Sequence, residues 1–346
     1  MHNGLLCIVP PYVLEAIAAN GTPEQRAWAA ATLSLDTEIR ATREQAPSAP
    51  PQPAADVTAS RRIYDADHTT SLPGTLARGE GAPAVADVCV NEAYDGFGAT
   101  LDLYGQVYSR NSVDDAGLDL IGTVHYSTDF NNAMWDGDQA VFGDGDGDIF
   151  NRFTIAVDVI GHELTHAVTQ YTAGLAYRNQ SGALNESISD VFGSLVKQYH
   201  AAPQQTADQA DWLIGAGLWT ARIHGVALRS MKAPGTAYND PVVGKDPQPA
   251  TMDGYVVTRS DNGGVHLNSG IPNHAFYLAA VSFGGYAWEK AGRVWYAALT
   301  DPALSANASF LEFAQLTVQK AQALFGADGR QRVHDAWAAV GIETSQ

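Results

Sequence analysis

His162-Glu163-Leu164-Thr165-His166 decides how the rest of this chain reads. Residues four apart project from one face of an α-helix, so both imidazoles can reach a single ion. Glu163 stands beside them without being a ligand, which suits a base acting on metal-activated water. Beyond it, Asn185-Glu186-Ser187-Ile188-Ser189-Asp190 offers a third ligand. Two His and one Glu around zinc leave a position open, which a catalytic site requires and a structural site lacks. Glu186 and Asp190 are again four apart. Glu186 reads as the ligand, and Asp190 as the acceptor that fixes the His162 ring, because ligating imidazoles give their second N–H to such a partner. Without the first stretch, this acidic pair would read as a solvated helix face.

That stretch is followed by Gly174-Leu175-Ala176-Tyr177, then Asn185-Glu186 with Ser189-Asp190, then Asp261-Asn262-Gly263-Gly264-Val265-His266-Leu267-Asn268-Ser269-Gly270. In this order and spacing, the motifs resemble the thermolysin family of zinc metalloendopeptidases over residues 61–346. The front segment, with Pro10-Pro11-Tyr12-Val13-Leu14, resembles the short propeptide of the protealysin-type branch. The resemblance implies Zn2+ on His162, His166 and Glu186, with Glu163 as base. It makes Tyr177 and His266 the donors to the developing oxyanion, Asp261 the partner that holds His266 cationic, and Asn185 a support behind the ligands. Asn132-Ala133-Met134-Trp135 matches an edge strand that pairs with extended peptide. There Asn132 would hold the substrate backbone by its amide and Ala133 by its carbonyl. Arg229 would grip the carbonyl after the scissile bond. Phe153, Val159, Ile214, Leu218 and Leu228 would line a pocket preferring Leu, Ile, Val or Phe just after the cut; without the resemblance they are core-forming apolar positions. At the family's double calcium site, Asp158 and Asp211 are kept, but Lys197, Leu213 and Ala216 replace expected carboxylates, and Val226 replaces another calcium ligand. Calcium dependence is therefore doubtful.

The chain has 346 residues, 45 % of them hydrophobic and 17 % charged, with a net charge of −18. That composition fits a globular protein with ample core. The acidity argues against nucleic acid or an anionic membrane as partner, since both need cationic patches. Two cysteines, Cys7 and Cys89, exclude a disulfide framework. No stretch reaches transmembrane length, and the short apolar start meets Pro10-Pro11 too soon for a Sec signal. A leaderless proenzyme is expected. The resemblance implies an extracellular protease, with a cytoplasmic location left open.

Four segments are expected. Residues 1–45 form a small helical propeptide, with Val13, Ile17, Leu33 and Ile39 at helical intervals and Pro23 opening a helix after Thr22. Residues 46–60, rich in Pro and Ala, read as an exposed linker and processing region. Residues 61–175 form a mixed α/β half that includes the active-site helix. Within it, Tyr94, Phe97, Leu101, Tyr104 and Tyr108 mark a helix. Stretches 122–127 and 132–142 read as strands, with Asp136-Gly137 as a hairpin turn. Gly143-Asp144-Gly145-Asp146-Gly147-Asp148 reads as a plain turn, because its glycine register is wrong for a calcium loop and Ile155 stands where a closing Glu would be. Residues 176–346 form an α-helical half, with helices beginning near Leu184 and covering 266–283, 286–300, 308–325 and 328–340. The fold class is thus α+β: a β-rich front half and a helical back half of a thermolysin-like unit, with the zinc helix at the junction.

The expected activity is hydrolysis of internal peptide bonds by a self-processing proenzyme, whose partners are protein and peptide substrates and its own propeptide as inhibitor. An aminopeptidase and an inactive metal-binding scaffold are the alternatives. No anchor for a free amine is visible, and Glu163, Tyr177 and His266 together would be idle in a scaffold. Asp56–Val57 and Arg62–Ile63 each place a β-branched residue after a candidate processing bond. Cys7, shortly before the diproline, is a possible inhibitory zinc ligand in the proenzyme.

Overall fold

A computed structural model of the chain describes residues 6–43 and 59–344, with side chains described for all of these except 38–43. The chain opens with a two-residue strand, β1 (Leu6–Cys7), that no sequence pattern announced. Pro10 and Pro11 then start α1 (Pro11–Asn20), where a proline at the first turn sacrifices no helical N–H. Its buried face carries Val13, Leu14 and Ile17. In α2 (Pro23–Arg43) the cap is reciprocal: Thr22 N–H donates to Gln25 Oε1 at 2.8 Å, and Gln25 N–H donates to Thr22 Oγ1 at 3.3 Å. Leu33 is half-buried against the core, while the Ile39 side chain and residues 44–58 lie outside the described parts.

Five further strands complete the main sheet: β2 (Arg61–Asp65), β3 (Thr75–Gly79), β4 (Leu120–Val124), β5 (Ala133–Trp135) and β6 (Ala140–Phe142). Their order is β1-β5-β6-β4-β2-β3. The β5–β6 pair is antiparallel around Asp136-Gly137, as the turn chemistry predicts. In the 143–148 turn, Asp146 Oδ1 accepts from the N–H groups of Asp148, Ile149 and Phe150, and Oδ2 accepts from Asn131 Nδ2 at 2.7 Å. One expectation falls here. Arg62–Ile63 lies inside β2, between β3 and β4, with Ile63 fully buried, so sheet pairing withholds that bond from any protease. Asp56–Val57 lies outside the described residues.

One side of the sheet is covered by α3 (Val88–Asp102), whose Asp87 cap accepts from Val90 N–H at 3.1 Å. A π-helical turn over Leu103–Val107 continues it to Tyr108, so the aromatic spacing was read correctly. The active-site helix α4 (Val157–Gln170) stands at the junction of the two halves, and α5 (Asn179–His200), which begins before the expected Leu184, opens the helical half. Gly161 and Gly193 let these two helices approach closely: a Cβ on Gly193 would stand 2.4 Å from the Asp158 carbonyl oxygen. A short pair, β7 (Leu213–Ile214) and β8 (Arg229–Ser230), lies alongside. The remaining helices are α6 (Asp261–Asn268), α7 (Gly270–Phe283), α8 (Ala291–Leu299) and α9 (Phe310–Ala339). Ser269 keeps helical dihedrals between α6 and α7, its N–H donating to the Val265 carbonyl and its carbonyl accepting from Asn273 N–H, so the expected 266–283 run is continuous. Within α9, Gly326 at a φ of 67° is a non-helical break between the two final runs, as expected. The α+β arrangement stands as expected, with the HELTH helix between sheet and helices.

Candidate metal centre and substrate cleft

On α4, His162 and His166 face the same way, with ring centroids 4.5 Å apart. The glycine-mediated contact with α5 brings Glu186 opposite them. Glu186 Oε2 lies 3.5 Å from His162 Nε2, and Oε1 lies 3.5 Å from His166 Nε2. The three side chains form a possible metal site. Buried polar atoms are normally satisfied, yet His162 Nε2 and Glu186 Oε2 accept or donate no hydrogen bond. Two imidazole nitrogens and one carboxylate suit zinc, and a divalent cation would satisfy both orphaned atoms.

The far ring nitrogens are already held. His162 Nδ1 bonds Asp190 Oδ1 at 2.8 Å, as expected. His166 Nδ1 bonds Asn185 Oδ1 at 2.8 Å and Ser189 Oγ at 2.9 Å. Asp190 is itself gripped by both arms of Arg229 at 2.8 Å and by Asn273 Nδ2 at 2.8 Å. Burial opposes charge on Asp190, but Arg229 and His162 outweigh it and hold the carboxyl well below its usual range. Ser189 and Asn273 escaped sequence reading, because one is an ordinary helix residue and the other is distant in sequence.

Glu163 is fully buried, with the Trp135 backbone as a hydrogen-bond partner. Burial and the nearby Glu186 raise its pKa well above the usual carboxylate value. Tyr177 O–H donates to Glu186 Oε1 and lies 3.1 Å from His266 Nε2. His266 is positioned by Asp261, which takes its Nδ1–H at 2.6 Å and its backbone N–H at 2.8 Å. Burial disfavours the imidazolium, yet Glu186 and Asp261 raise the His266 pKa well above normal. Asn262, Gly263 and Gly264, all at positive φ, make the bend that lets Asp261 reach back.

The amino-terminal segment lies across this centre. β1 pairs antiparallel with β5, Cys7 opposite Met134. Ile8 N–H donates to the Ala133 carbonyl at 3.1 Å, and Val9 N–H donates to Asn132 Oδ1 at 3.0 Å. Arg229 donates to the Ile8 carbonyl at 2.8 Å, and His266 Nε2 lies 2.9 Å from the Cys7 carbonyl. Phe153, Val159, Ile214, Leu218 and Leu228 are all buried in one hydrophobic cluster with Ile8. The Cys7 expectation is corrected. Its sulfur is not among the donors gathered with His162, His166 and Glu186. The pairing with β5 sends the side chain to Met134, Tyr126, Phe130 and Val141, and the thiol donates to the Val9 carbonyl at 3.6 Å. It is the Cys7 carbonyl that enters the site.

At the old calcium positions, Lys197 Nζ lies 2.9 Å from both Asp158 Oδ2 and Asp211 Oδ1, and 2.6 Å from the Leu213 carbonyl.

Comparison with known proteins agrees with this geometry. Residues 52–170 match the family profile "Thermolysin metallopeptidase, catalytic domain", and residues 173–342 match "Thermolysin metallopeptidase, alpha-helical domain". An "Extracellular metalloprotease" of Pectobacterium carotovorum is 54 % identical over all of this chain and 99 % of its own length. "Protease PrtS" of Photorhabdus is 48 % identical over all of this chain and 94 % of its own. The solved precursor of protealysin, a metalloproteinase from Serratia proteamaculans, superposes with a TM-score of 0.89 at 54 % identity, covering 97 % of this chain and 99 % of that one. A zinc-ready centre, the motifs around it and this breadth of similarity agree: the chain belongs to the thermolysin metallopeptidase family and is a zinc metalloendopeptidase.

Proposed function

We propose that this endopeptidase cuts before bulky apolar residues and is made as a precursor whose own front segment fills the cleft. Zinc held by His162, His166 and Glu186 would supply Lewis acidity to the attacking water and the peptide carbonyl. Glu163, fully buried beside the metal ligands, takes the proton of that water and passes it to the leaving amine. Tyr177 and His266 donate to the carbonyl oxygen as it gains charge, and Asp261 keeps His266 cationic for that purpose. Asp190 and Asn185 keep the two ligand rings in register.

The observation that carries the substrate reading is the seat of residues 7–9. Their backbone bonds Ala133, Asn132, Arg229 and His266, the groups expected to bind substrate, and Ile8, whose carbonyl Arg229 holds, is a fully buried β-branched residue. An extended peptide adding to β5 would make the same bonds. Residues 1–45 thus act as inhibitor, residues 46–60 as the stretch where the enzyme cuts itself, and residues 61–175 and 176–346 as the two halves of the mature unit. Lys197 replaces calcium between Asp158 and Asp211. Because relatives bear the name extracellular, export is inferred for this chain as well. An acidic protein and its substrates meet without nucleic acid or membrane: among the described residues no helix is long and apolar enough to cross a bilayer. Quenched peptides that differ only after the scissile bond are the test. Leu should exceed Asp at that position by at least roughly 100-fold in kcat/KM, since a buried charge has no partner in the pocket. Equal rates would overturn the assigned pocket.

A further inference from the structure

Five metal-ligating side chains gather in the sheet half, and none belongs to the centre described above. They come from the loop after β2 (His68), the end of β4 (His125), the turn after β6 (Asp144), and the start of α3 (Asp87, Cys89). His125 Nδ1 lies 2.8 Å from Asp144 Oδ2, and His68 Nδ1 lies 3.4 Å from the same oxygen. The donor atoms of His68, His125 and Asp144 are all within 4.8 Å of one another. We propose that His68, His125 and Asp144 form a second site for a borderline divalent cation of the zinc type.

Three features support it. First, Asp87 Oδ2 lies 2.9 Å from His125 Nε2. A carboxylate that takes Nε2–H orients the ring so that Nδ1 faces Asp144, the arrangement that orients ligating imidazoles generally. Second, the two histidines are held together by backbone: His68 N–H donates to the His125 carbonyl at 2.9 Å, flanked by Ala66 to Val124 at 3.1 Å and Ser127 to Thr69 at 2.9 Å. Third, an ion has a way in, because the His68 side chain is 55 % exposed and Asp144 27 %. Two imidazoles and a carboxylate select zinc, cobalt or nickel over calcium or magnesium, which want oxygen alone. The ion would replace the proton that otherwise bridges His125 to Asp144. Asp87, Cys89 and His125 form an overlapping triad, but Asp87 is the cap of α3 and the Cys89 thiol is pushed up to about 12 by burial and by Asp144. The site uses no residue of the catalytic centre.

Full-length Glu163→Gln protein, loaded with one zinc and titrated with further Zn2+ under equilibrium dialysis, tests this. A second equivalent should bind and raise Tm as it does so. His68→Gln, at an exposed position where folding is not at stake, should weaken that equivalent at least about tenfold and abolish the added Tm rise, leaving the first equivalent in place. Asp144→Asn should do the same. Failure to take up a second equivalent in a large excess of zinc overturns the proposal. So does a second equivalent that survives His68→Gln, and one lost only in Cys89→Ser would move it to the other triad.

Discussion

The centre is assembled from residues whose partners are set by helix spacing, and single substitutions separate their roles. Glu186→Gln keeps the shape of its side chain but not its charge. We expect zinc occupancy after dialysis against a mild chelator to fall at least roughly tenfold, and unchanged occupancy would remove Glu186 from the ligands. Arg229→Lys keeps a charge but cannot span both oxygens of Asp190 and a peptide carbonyl together. It should lower kcat/KM by roughly 10–100-fold, measured on peptides reaching beyond the residue after the cut. At this scale much was readable. His162, His166, Glu186 and Asp190 sit in local motifs whose helical spacing sets which face they share, and Asp261 was named by the resemblance of the segment around His266. Ser189 and Asn273 were not readable, because their partners are chosen by tertiary packing. Cys7 was misread for the same reason: only the pairing with β5 says which side of the strand carries the sulfur.

Between elements, close approach and pinned strands keep the ligands in register. Gly193→Ala would push a methyl into the Asp158 carbonyl and separate α4 from α5. We expect a loss of about 1–3 kcal/mol from overpacking, seen in denaturant unfolding, with zinc affinity falling alongside; loss of stability with unaltered zinc affinity would uncouple the contact from the site. β2 is fixed by Arg61, which donates to both oxygens of Glu80 and lies 3.9 Å over the Tyr94 ring. The Arg61 hydrogen bonds lower the Glu80 pKa to about 2, against an ordinary 4.5. A depressed carboxyl stabilises above its unfolded value and loses that contribution as pH falls through the folded one. Glu80→Gln should therefore lower Tm slightly at neutral pH, reflecting under about 1 kcal/mol of stability because the pair is partly exposed. The gap should close between pH 4.5 and 2. A gap that persists at the acid end would mean packing, not charge. The helices and the β5–β6 hairpin were visible in periodicity and turn residues. β1 was not, since two residues carry no period.

Taken whole, the molecule is a thermolysin-family metallopeptidase in which Lys197 bridges Asp158 and Asp211, at positions that the resemblance matches to a calcium site. Lys197→Met would leave Asp158 buried without its cation. Stability should fall by roughly 2–4 kcal/mol, whereas a calcium-selective chelator should not move the Tm of the wild type. A chelator-sensitive Tm would place calcium where Lys197 now sits. Composition and motifs told the two-part architecture and the precursor organisation, but not how residues 7–9 lie in the cleft, which depends on contacts across the whole chain. The central claim joins zinc, Glu163 and self-cleavage, and one native mass spectrum of purified full-length protein after incubation reads all three. Wild type should carry a dialysis-resistant zinc and shorten by a cut within 46–60. Glu163→Gln should carry the same zinc and remain full length. If Glu163→Gln shortens as fast as wild type, or if wild type holds no zinc, the account is wrong.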